Sequence, residues 1–459
     1  MIKPIEVKIA EKVKEKGGTT YYVGGFVRDK LLGIENKDVD IEVHGIMPET
    51  LKDILKELGT PLEYGKDFGI FSLANENIDI AMPRRERNTG IGHRDFDIEV
   101  DPFIGVKEAA RRRDFTINSL MQDVLTNEIV DSFNGLNDLE NKLIKHVDDS
   151  SFIEDPLRVF RACQFAARFN FKIAKETIEL CKTIDVTSLS KERVEEELIK
   201  ALLKSNNPSI FFNELDKMGK LEYWFKEIKN LQGVIQDKIY HPEGDAYIHT
   251  MKSLDEAHKY LDKVNNPYCF MMFALCHDLG KIDTTFTNDG RVHSYGHEEK
   301  LEKAKTLIKR ITNKNGLYKY LMNMIPLHMK PNQLYAFNAG KKATNKMYDE
   351  AIAKEDLLYF AFVDHPLKEN SLENSKRYMY LKERLNYYFE TMLKPYVTGD
   401  DLIEAGITPD IDFKEALIYA HKLRLASVNK DDALKQTIAY INKKRKKQWC
   451  NKNCLYKKE

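Results

Sequence analysis

The feature that most constrains this chain is a glycine pair, an arginine one turn later, and two alternating carboxylates a short distance on. Tyr21-Tyr22-Val23 is a β-prone run; Gly24-Gly25 interrupts it; Phe26-Val27-Arg28-Asp29 reads as the start of a helix; Asp38-Val39-Asp40 opens a second strand. Gly24 and Gly25 lack a Cβ, so a triphosphate can approach the backbone N–H groups closely. Arg28 carries a forked guanidinium suited to phosphate oxygens. Asp38 and Asp40 alternate on a strand and share a face, leaving Val39, Ile41 and Val43 for the opposite, buried face. Two carboxylates on an exposed face suit Mg²⁺, which takes one or two carboxylates plus phosphate oxygens. Either half alone also fits a solvated Asp pair after a glycine turn. Both together, within about twenty residues, point to chemistry on a nucleoside triphosphate.

Further signals lie downstream. Arg111-Arg112-Arg113-Asp114-Phe115-Thr116-Ile117-Asn118-Ser119-Leu120 is a basic turn leading into an apolar strand or helix, and Asp131-Ser132-Phe133-Asn134-Gly135-Leu136-Asn137-Asp138-Leu139 follows it. In Glu154-Asp155-Pro156-Leu157-Arg158-Val159-Phe160-Arg161 the proline suits the first turn of a helix. Asp155 and Arg158 then share a face, with Arg161 one turn along the same ridge. Taken alone, this is also what a capping Asp with a salt-bridged Arg looks like.

These stretches resemble the class II nucleotidyltransferase superfamily, which holds the tRNA CCA-adding enzymes and the bacterial poly(A) polymerases. Its pattern G-G-x-V-R-D-x-L-L-G stands complete from Gly24 to Gly33; its R-R-D-x-T-I-N-A-L stands from Arg112 with Ser119 in place of the alanine; its D-P-x-x-G-x-x-D-L stands from Asp131 with Ser132 in place of the proline. The resemblance implies that Asp38 and Asp40 are the catalytic Mg²⁺ ligands. Gly25 and Arg28 then hold the triphosphate, Arg113 touches triphosphate or ribose, and Asp155, Arg158 and Arg161 read the base. A carboxylate accepts from an exocyclic amine and a guanidinium donates to a ring nitrogen or carbonyl. CTP and ATP both present an amine beside a ring acceptor, so one Asp/Arg pair can take both and reject UTP and GTP. Asp79, in Ile78-Asp79-Ile80, fits equally a third site carboxylate or a surface strand residue. Arg84-Arg85-Glu86-Arg87-Asn88-Thr89-Gly90-Ile91-Gly92 reads as a mobile loop. CCA-adding enzymes carry one here that helps the switch from CTP to ATP, and CC-only relatives lack it. Gly65-Lys66-Asp67-Phe68-Gly69-Ile70-Phe71 resembles the CCA enzymes' G-x-D-F-x-V-F more than the polymerase form.

An independent signal is Phe273-Ala274-Leu275-Cys276-His277-Asp278-Leu279-Gly280-Lys281, preceded by His249 and followed by Asp364. It resembles the HD phosphohydrolase superfamily, H…H-D…D. The resemblance implies one divalent metal on His249, His277, Asp278 and Asp364, with His297 and His328 as extra candidates. Imidazole plus carboxylate suits Ni²⁺, Mn²⁺, Mg²⁺ or Fe²⁺ and hydrolysis of phosphate esters. A transferase head with an HD module matches CCA-adding enzymes of the γ-proteobacterial type.

At 459 residues, 42% hydrophobic and 31% charged, the chain reads as a soluble protein of several domains. No run approaches a membrane span, and the N-terminus lacks the apolar core of a signal peptide. Six scattered cysteines point to a reducing cytoplasm, and Cys450 with Cys454 has no second half for a zinc site. Lysine plus arginine equals aspartate plus glutamate at 72 each. RNA affinity must then come from local clusters, with Arg111–Arg113, Lys341-Lys342 and Lys443–Lys447 as candidates. Each fits a solvated face as well, and the tail reads as a frayed helix or a disordered end.

The expected fold is α+β: a mixed α/β nucleotidyltransferase head (1–147), an all-α neck that binds base and tRNA (148–236), an HD domain (237–370) and a helical C-terminal region with a basic tail (371–459). Strands are expected at Tyr21–Val23, Val39–Val43, Phe71–Leu73 and Ile78–Met82, with a helix at Glu49–Leu58 capped by Gly59, and almost no β structure beyond Asp155. The expected activity is template-independent CCA addition to tRNA from CTP and ATP with Mg²⁺, and a second divalent metal in the HD module. The alternatives are a poly(A) polymerase, a partial CC- or A-adding enzyme, and a phosphohydrolase whose head only binds RNA. Intact Asp38 and Asp40 argue against the last, since a binding module does not need them. The sequence does not set an oligomeric state.

Overall fold

The computed structural model describes residues 4–64, 69–88, 96–237, 242–366, 371–409 and 412–455. The chain forms two compact units, Met1–Lys229 with Arg310–Thr312, and Asn230–Lys309 with Asn313–Glu459.

The first unit begins with strands β1 (Thr19–Val23), β2 (Val39–His44), β3 (Pro61–Tyr64), β4 (Ile70–Leu73), β5 (Ile78–Ala81), β6 (Arg84–Asn88), β7 (Phe96–Val100), β8 (Met121–Asp123) and β9 (Ile129–Val130). Seven of them form a mixed sheet in the order β3-β4-β5-β2-β1-β8-β9, and β6 pairs with β7 as a separate antiparallel ribbon. The expected strands are present within a residue or two. Of the additional ones, β3 begins with proline, β8 and β9 have three and two residues, and β6 stands at Arg84–Asn88, within the stretch expected to be a mobile loop. The amphipathic helices Ile5–Glu15 and Pro48–Leu58 pack on each other through Ile9, Val13, Leu51, Ile54 and Leu55, all buried. Gly59 ends the second helix at φ 170°, so the cap is extended and not left-handed. On β2, Ile41 and Val43 are buried as the alternation requires. Beyond the sheet, helix Leu157–Phe169 buries Val159, Phe160, Ala162, Cys163 and Ala166 against helices Lys191–Lys204 and Ser209–Lys217. Phe211, Phe212 and Phe225 meet edge to face beneath it.

In the second unit two helices are apolar on every side, and so form its centre. Cys269–Cys276 in helix Pro267–Cys276 and Leu357–Val363 in helix Lys354–Asp364 are buried throughout. They meet through Phe273 stacked on Phe360, ring centroids 3.7 Å apart. Helix Ala246–His258 packs on both. A separate apolar cluster joins helices Phe413–Leu425 and Lys430–Leu455 through Ala416, Ala420, Ala433 and Ile441.

The region after Asp155 has almost no β structure, as expected: Lys172–Ile173 pairs with Leu143–Ile144, and a short hairpin joins Phe286–Asn288 to Arg291–His293. Its two-residue loop, Asp289-Gly290, has φ of 49° and 73°, as the Asp-Gly turn chemistry favours. The C-terminal helix is Lys430–Leu455, and Lys444 is tied to Asp412 at 2.9 Å and to Glu415. No helix among the described residues is long and apolar enough to cross a membrane.

Candidate functional site

In the head, β2 runs parallel to β5 with Asp40 directly opposite Asp79. Asp38 lies one residue before β2 and is exposed, as is Asp79, while Asp40 is half-buried. Asn77 orients Asp38, donating Nδ2 to Oδ1 at 2.9 Å and to the Lys37 carbonyl at 2.8 Å. Burial first, then the Asp79 carboxylate, push Asp40 up to about 6 against the opposing pull of Arg113; Asp38 adds to the rise. Three crowded oxygen donors, one of them destabilised as an anion, fit a hard divalent cation. From sequence, Asp79 fits a third site carboxylate and a surface strand residue equally. Its partnership with Asp40 depends on a parallel register that local pattern does not show.

The far end of this strand face is covered. Glu42 and His44 are 2% and 7% exposed, with His44 Nε2 2.9 Å from Glu42 Oε1 and Arg113 Nη2 donating to Glu42 Oε2 at 3.1 Å. Burial alone would raise Glu42, but His44 and Arg113 hold it down at about 2. Gly24 has φ 64°, and a Cβ there would lie 3.0 Å from Arg113 Nη1. The first glycine of the pair therefore serves the left-handed turn and also makes room for Arg113.

Arg28 is 3% exposed. Its Nε and Nη2 donate to Asp29 Oδ1 at 2.8 and 2.6 Å, and its Nη1 to Asn118 Oδ1 at 2.6 Å. Its guanidinium carbon lies 5.0 and 4.7 Å from the Phe165 and Phe169 ring centres, and a Cβ on Gly25 would meet Nη2 at 3.4 Å. Arg28 thus lies under the glycine turn, not splayed above it. From Asn118 the network continues: Nδ2 donates to Asp114 Oδ1 at 2.9 Å, and Arg161 Nε donates to Asp114 Oδ2 at 2.8 Å. Burial opposes ionisation of Asp114, but Arg161 and Asn118 outweigh it and lower its pKa. Arg168 Nη2 reaches Asp29 Oδ2 at 3.3 Å. A continuous buried chain, Asp29–Arg28–Asn118–Asp114–Arg161, links the glycine turn to helix Leu157–Phe169.

The turn at Thr116–Asn118 is buckled from below by the Asp131–Leu139 motif. Asp131 accepts from the Gly135 and Leu136 N–H groups at 2.8 and 2.9 Å, and Thr116 Oγ1 donates to Asp138 Oδ2 at 2.7 Å. A Cβ on Gly135 would sit 2.2 Å from the Thr116 carbonyl.

The remaining residues of the Asp155 motif are held individually. Asp155 accepts from the Leu157 N–H at 3.0 Å, and its ion-pair partner is Arg193 at 2.9 Å, on helix Lys191–Lys204. Arg158 donates to the Ser151 and Arg112 carbonyls, both at 2.7 Å. Arg111 pairs with Glu108 and Asp148, and Arg113 points inward, so the Arg111–Arg113 run is not an open basic patch. The residues 65–68 and 89–95, which carry parts of two sequence motifs, lie outside the described residues, as do the Cys450 and Cys454 side chains.

In the second unit His249, His277, Asp278, His297, His328 and Asp364 converge, none more than 6% exposed. His277 and Asp278 follow directly from helix Pro267–Cys276, and Asp364 ends helix Lys354–Asp364. His249 Nε2 lies 3.2 Å from Asp364 Oδ1 and 3.6 Å from Asp278 Oδ2; His277 Nε2 lies 3.3 Å from Asp278 Oδ2. Each Nδ1 is turned outward: His277 to the Ala274 carbonyl at 2.9 Å, His297 to Ser294 at 2.8 Å, His328 to Ile325 at 2.7 Å, and His249 to the Glu243 carboxylate at 2.7 Å. That outer shell aims every Nε2 inward, as metal ligation requires. Lys281 Nζ donates to Asp278 Oδ2 and Gln236 Oε1, both at 2.6 Å. Burial would lower His277, but Asp278 and Asp364 outweigh it and push it up to about 10; burial lowers His328 to about 3. Gly280 has its own reason: a Cβ there would lie 2.0 Å from the His297 carbonyl oxygen.

Residues 20–145 match the poly A polymerase head domain family, and residues 170–232 match the family described as the probable RNA and SrmB-binding site of polymerase A. The multifunctional CCA protein of Actinobacillus pleuropneumoniae is 38% identical over 287 residues, covering 61% of this chain and 67% of that one. The multifunctional CCA protein of Haemophilus influenzae is 39% identical over 303 residues, covering 63% and 70%. Among solved structures, the Thermotoga maritima CCA-adding enzyme complexed with tRNA superposes with a TM-score of 0.62 at 21% identity, covering 96% of each chain. A CCA-adding enzyme with ATP superposes at 0.65, with 20% identity, over 96% of this chain and 95% of that one.

Proposed function

The chain belongs to the CCA-adding enzymes of the poly(A) polymerase superfamily, and on that premise we propose that it adds C, C and A to tRNA 3′ ends from CTP and ATP. The observation that carries the residue assignment is the buried chain from Asp29 and Arg28 through Asn118 and Asp114 to Arg161. It makes one rigid frame of the triphosphate turn and the base-reading helix, as in-line transfer needs.

Asp38 and Asp40, with Asp79 beside them, would hold Mg²⁺, which when bound acidifies the attacking hydroxyl and neutralises charge on the transferring phosphate. The turn at Gly24-Gly25 gives the triphosphate a backbone it can approach, and Arg28, its guanidinium held by Asp29 and Asn118, supports that turn from beneath. Arg113, anchored on Glu42, holds triphosphate or ribose. The tRNA 3′ oxygen bonds to the α-phosphorus, the bond to the bridging oxygen breaks, and pyrophosphate leaves. Asp155, Arg158 and Arg161 read the base. Their fixed partners, Arg193, two backbone carbonyls and Asp114, set the direction of each remaining hydrogen bond.

We assign the second unit's cluster of His249, His277, Asp278 and Asp364 to a divalent ion (Ni²⁺, Mn²⁺ or Mg²⁺) and to hydrolysis of small phosphate esters. The buried donors and their outward-tied Nδ1 atoms support this. The four-part division at 147, 236 and 370 belongs to the same reading. So does a cytoplasmic location, in keeping with the free thiols of Cys163, Cys181, Cys269 and Cys276.

The test is incubation of the purified chain with tRNA ending before CCA and each labelled nucleotide, singly and together. CTP alone should extend by two nucleotides, and CTP with ATP by three, with UTP and GTP inert. Long adenylate tails from ATP alone would make it a poly(A) polymerase, and a stop after two nucleotides with both present would make it a CC-adding enzyme.

A further inference from the structure

We infer that the exposed face of the hairpin beside the buried cluster is a stacking platform for a nucleobase, so that the phosphate esters this cluster takes are those of nucleosides. The inference rests on reading the cluster as a phosphoester site and names the group that recognises its substrate.

The hairpin sets Phe286 directly opposite His293 and Asn288 opposite Arg291, with Thr287 and Val292 as the pair between them. Side chains alternate across a strand, so Phe286, His293, Asn288 and Arg291 share one face. Ring contacts carry Tyr295, two residues past His293, onto the same face. Tyr295 lies nearly parallel to His293, centroids 4.9 Å apart at 18°, and Phe286 lies 5.7 Å from His293 and 6.1 Å from Tyr295. One cross-strand pair of rings is an ordinary way to hold so short a hairpin together, and Phe286 with His293 supplies it. Tyr295 stands beyond the paired residues and is 72% exposed, while Phe286 is itself 48% exposed. Hairpin stability does not require that surplus of aromatic surface in water.

The platform is tied to the buried cluster. Thr285 and Ser294 close the base of the hairpin, their hydroxyl oxygens 2.7 Å apart, and the Ser294 carbonyl accepts from His297 Nδ1 at 2.8 Å. Between Tyr295 and His297 stands Gly296 at φ 72°, a left-handed turn that leaves one ring in water and takes the other into the cluster. Their Cα atoms are then at most about 7 Å apart, a separation that one nucleoside can bridge. Every base has a π-face, and stacking on exposed rings holds it whatever its identity. Arg291 and Asn288, both exposed, add a guanidinium and an amide for a base edge or a phosphate. A phosphate ester without a ring would use none of these groups.

The test compares, on the full chain with Ni²⁺ or Mg²⁺ added, hydrolysis of cytidine 2′,3′-cyclic phosphate with that of β-glycerophosphate, which has no ring. Tyr295→Ala should raise KM for the cytidine ester by about tenfold or more, with kcat near the parent's and β-glycerophosphate kinetics unchanged. Tyr295→Phe, which keeps the ring, should restore the parent KM. A dinucleotide ending in the same cyclic phosphate, run beside the mononucleotide, separates an RNA end from a free nucleotide, since the true occupant loses more on Tyr295→Ala. Equal effects on the ringed and ring-free esters, or none on the cytidine ester, would overturn the platform. If the parent hydrolyses neither ester, the phosphoester reading falls and a second measurement decides the platform. In Tyr295→Trp the indole fluorescence, after subtraction of the signal from the parent's two tryptophans, should be quenched saturably by cytidine 2′,3′-cyclic phosphate. No added quenching there overturns the inference.

Discussion

The head and the second unit each gather side chains that could hold a cation, but by opposite means. In the head Asp38 and Asp79 are exposed, Asp40 is half-buried, and all three are carboxylates, Asp40 and Asp79 on adjacent strands and Asp38 just before the first of them. In the second unit the donors are buried, mostly imidazole, and each ring is locked by an outer hydrogen bond. The first arrangement suits an ion that arrives with its triphosphate and shares its coordination with phosphate oxygens. The second suits an ion that stays through many turnovers. Exposure and donor type together separate a site that assembles with substrate from one assembled in advance.

Asp40→Ala breaks the comparison most severely. Nucleotide incorporation should fall by about a thousandfold or more, corresponding to roughly 4 kcal/mol of transition-state stabilisation. Binding of tRNA, measured by filter retention, should persist, and metal retained by the second unit should be unchanged. Incorporation near the parent rate would remove Asp40 from the site.

His277→Ala with Asp278→Ala tests the other side. It should abolish tightly held metal and any metal-dependent hydrolysis of 2′,3′-cyclic phosphates or phosphomonoesters, with CCA addition near normal. Loss of addition in the folded double variant would show that the two chemistries are not separate.

A smaller effect is expected from Asp155→Ala. Removing one hydrogen-bonding reader should cost about 1–3 kcal/mol of discrimination, seen as UTP or GTP competing in single-nucleotide assays. Unchanged preference for CTP and ATP would reduce Asp155 to a helix cap and partner of Arg193. The smallest effect is Asp138→Asn, which weakens the bond from Thr116. It should lower stability to denaturant by about 1 kcal/mol with little change in base choice. A shift in base choice exceeding the stability loss would place the Thr116–Asn118 turn in the reading itself.

The parts legible from sequence were those whose meaning is local. Gly24, Asp38 and Asp40 carry theirs in spacing along one strand and turn, and the buried Ile41 and Val43 follow from alternation. What sequence missed depends on pairing across long separations. Asp79 needed the parallel register with β2, and Glu42 reads as an outward strand residue until Arg113, 71 positions on, covers it. Arg193 meets Asp155 only because two helices pack. Asp29, Asp114 and Asn118 stood in the quoted motifs, yet their role as a buried relay requires three segments at once. Phe286–His293 was missed although Asp289-Gly290 signalled it, since three-residue strands carry almost no periodicity.

The glycine at 280 has a consequence for how such chains lose function over time. The six clustered side chains, from His249 to Asp364, are spread over more than a hundred positions, yet one added methyl at Gly280 would press on the His297 carbonyl oxygen from 2.0 Å. A lineage could therefore silence the second unit in one mutational step with every histidine and aspartate still in place. A genome survey that scores only those six letters would count such copies as having an intact cluster, and glycine at this position is the letter to add.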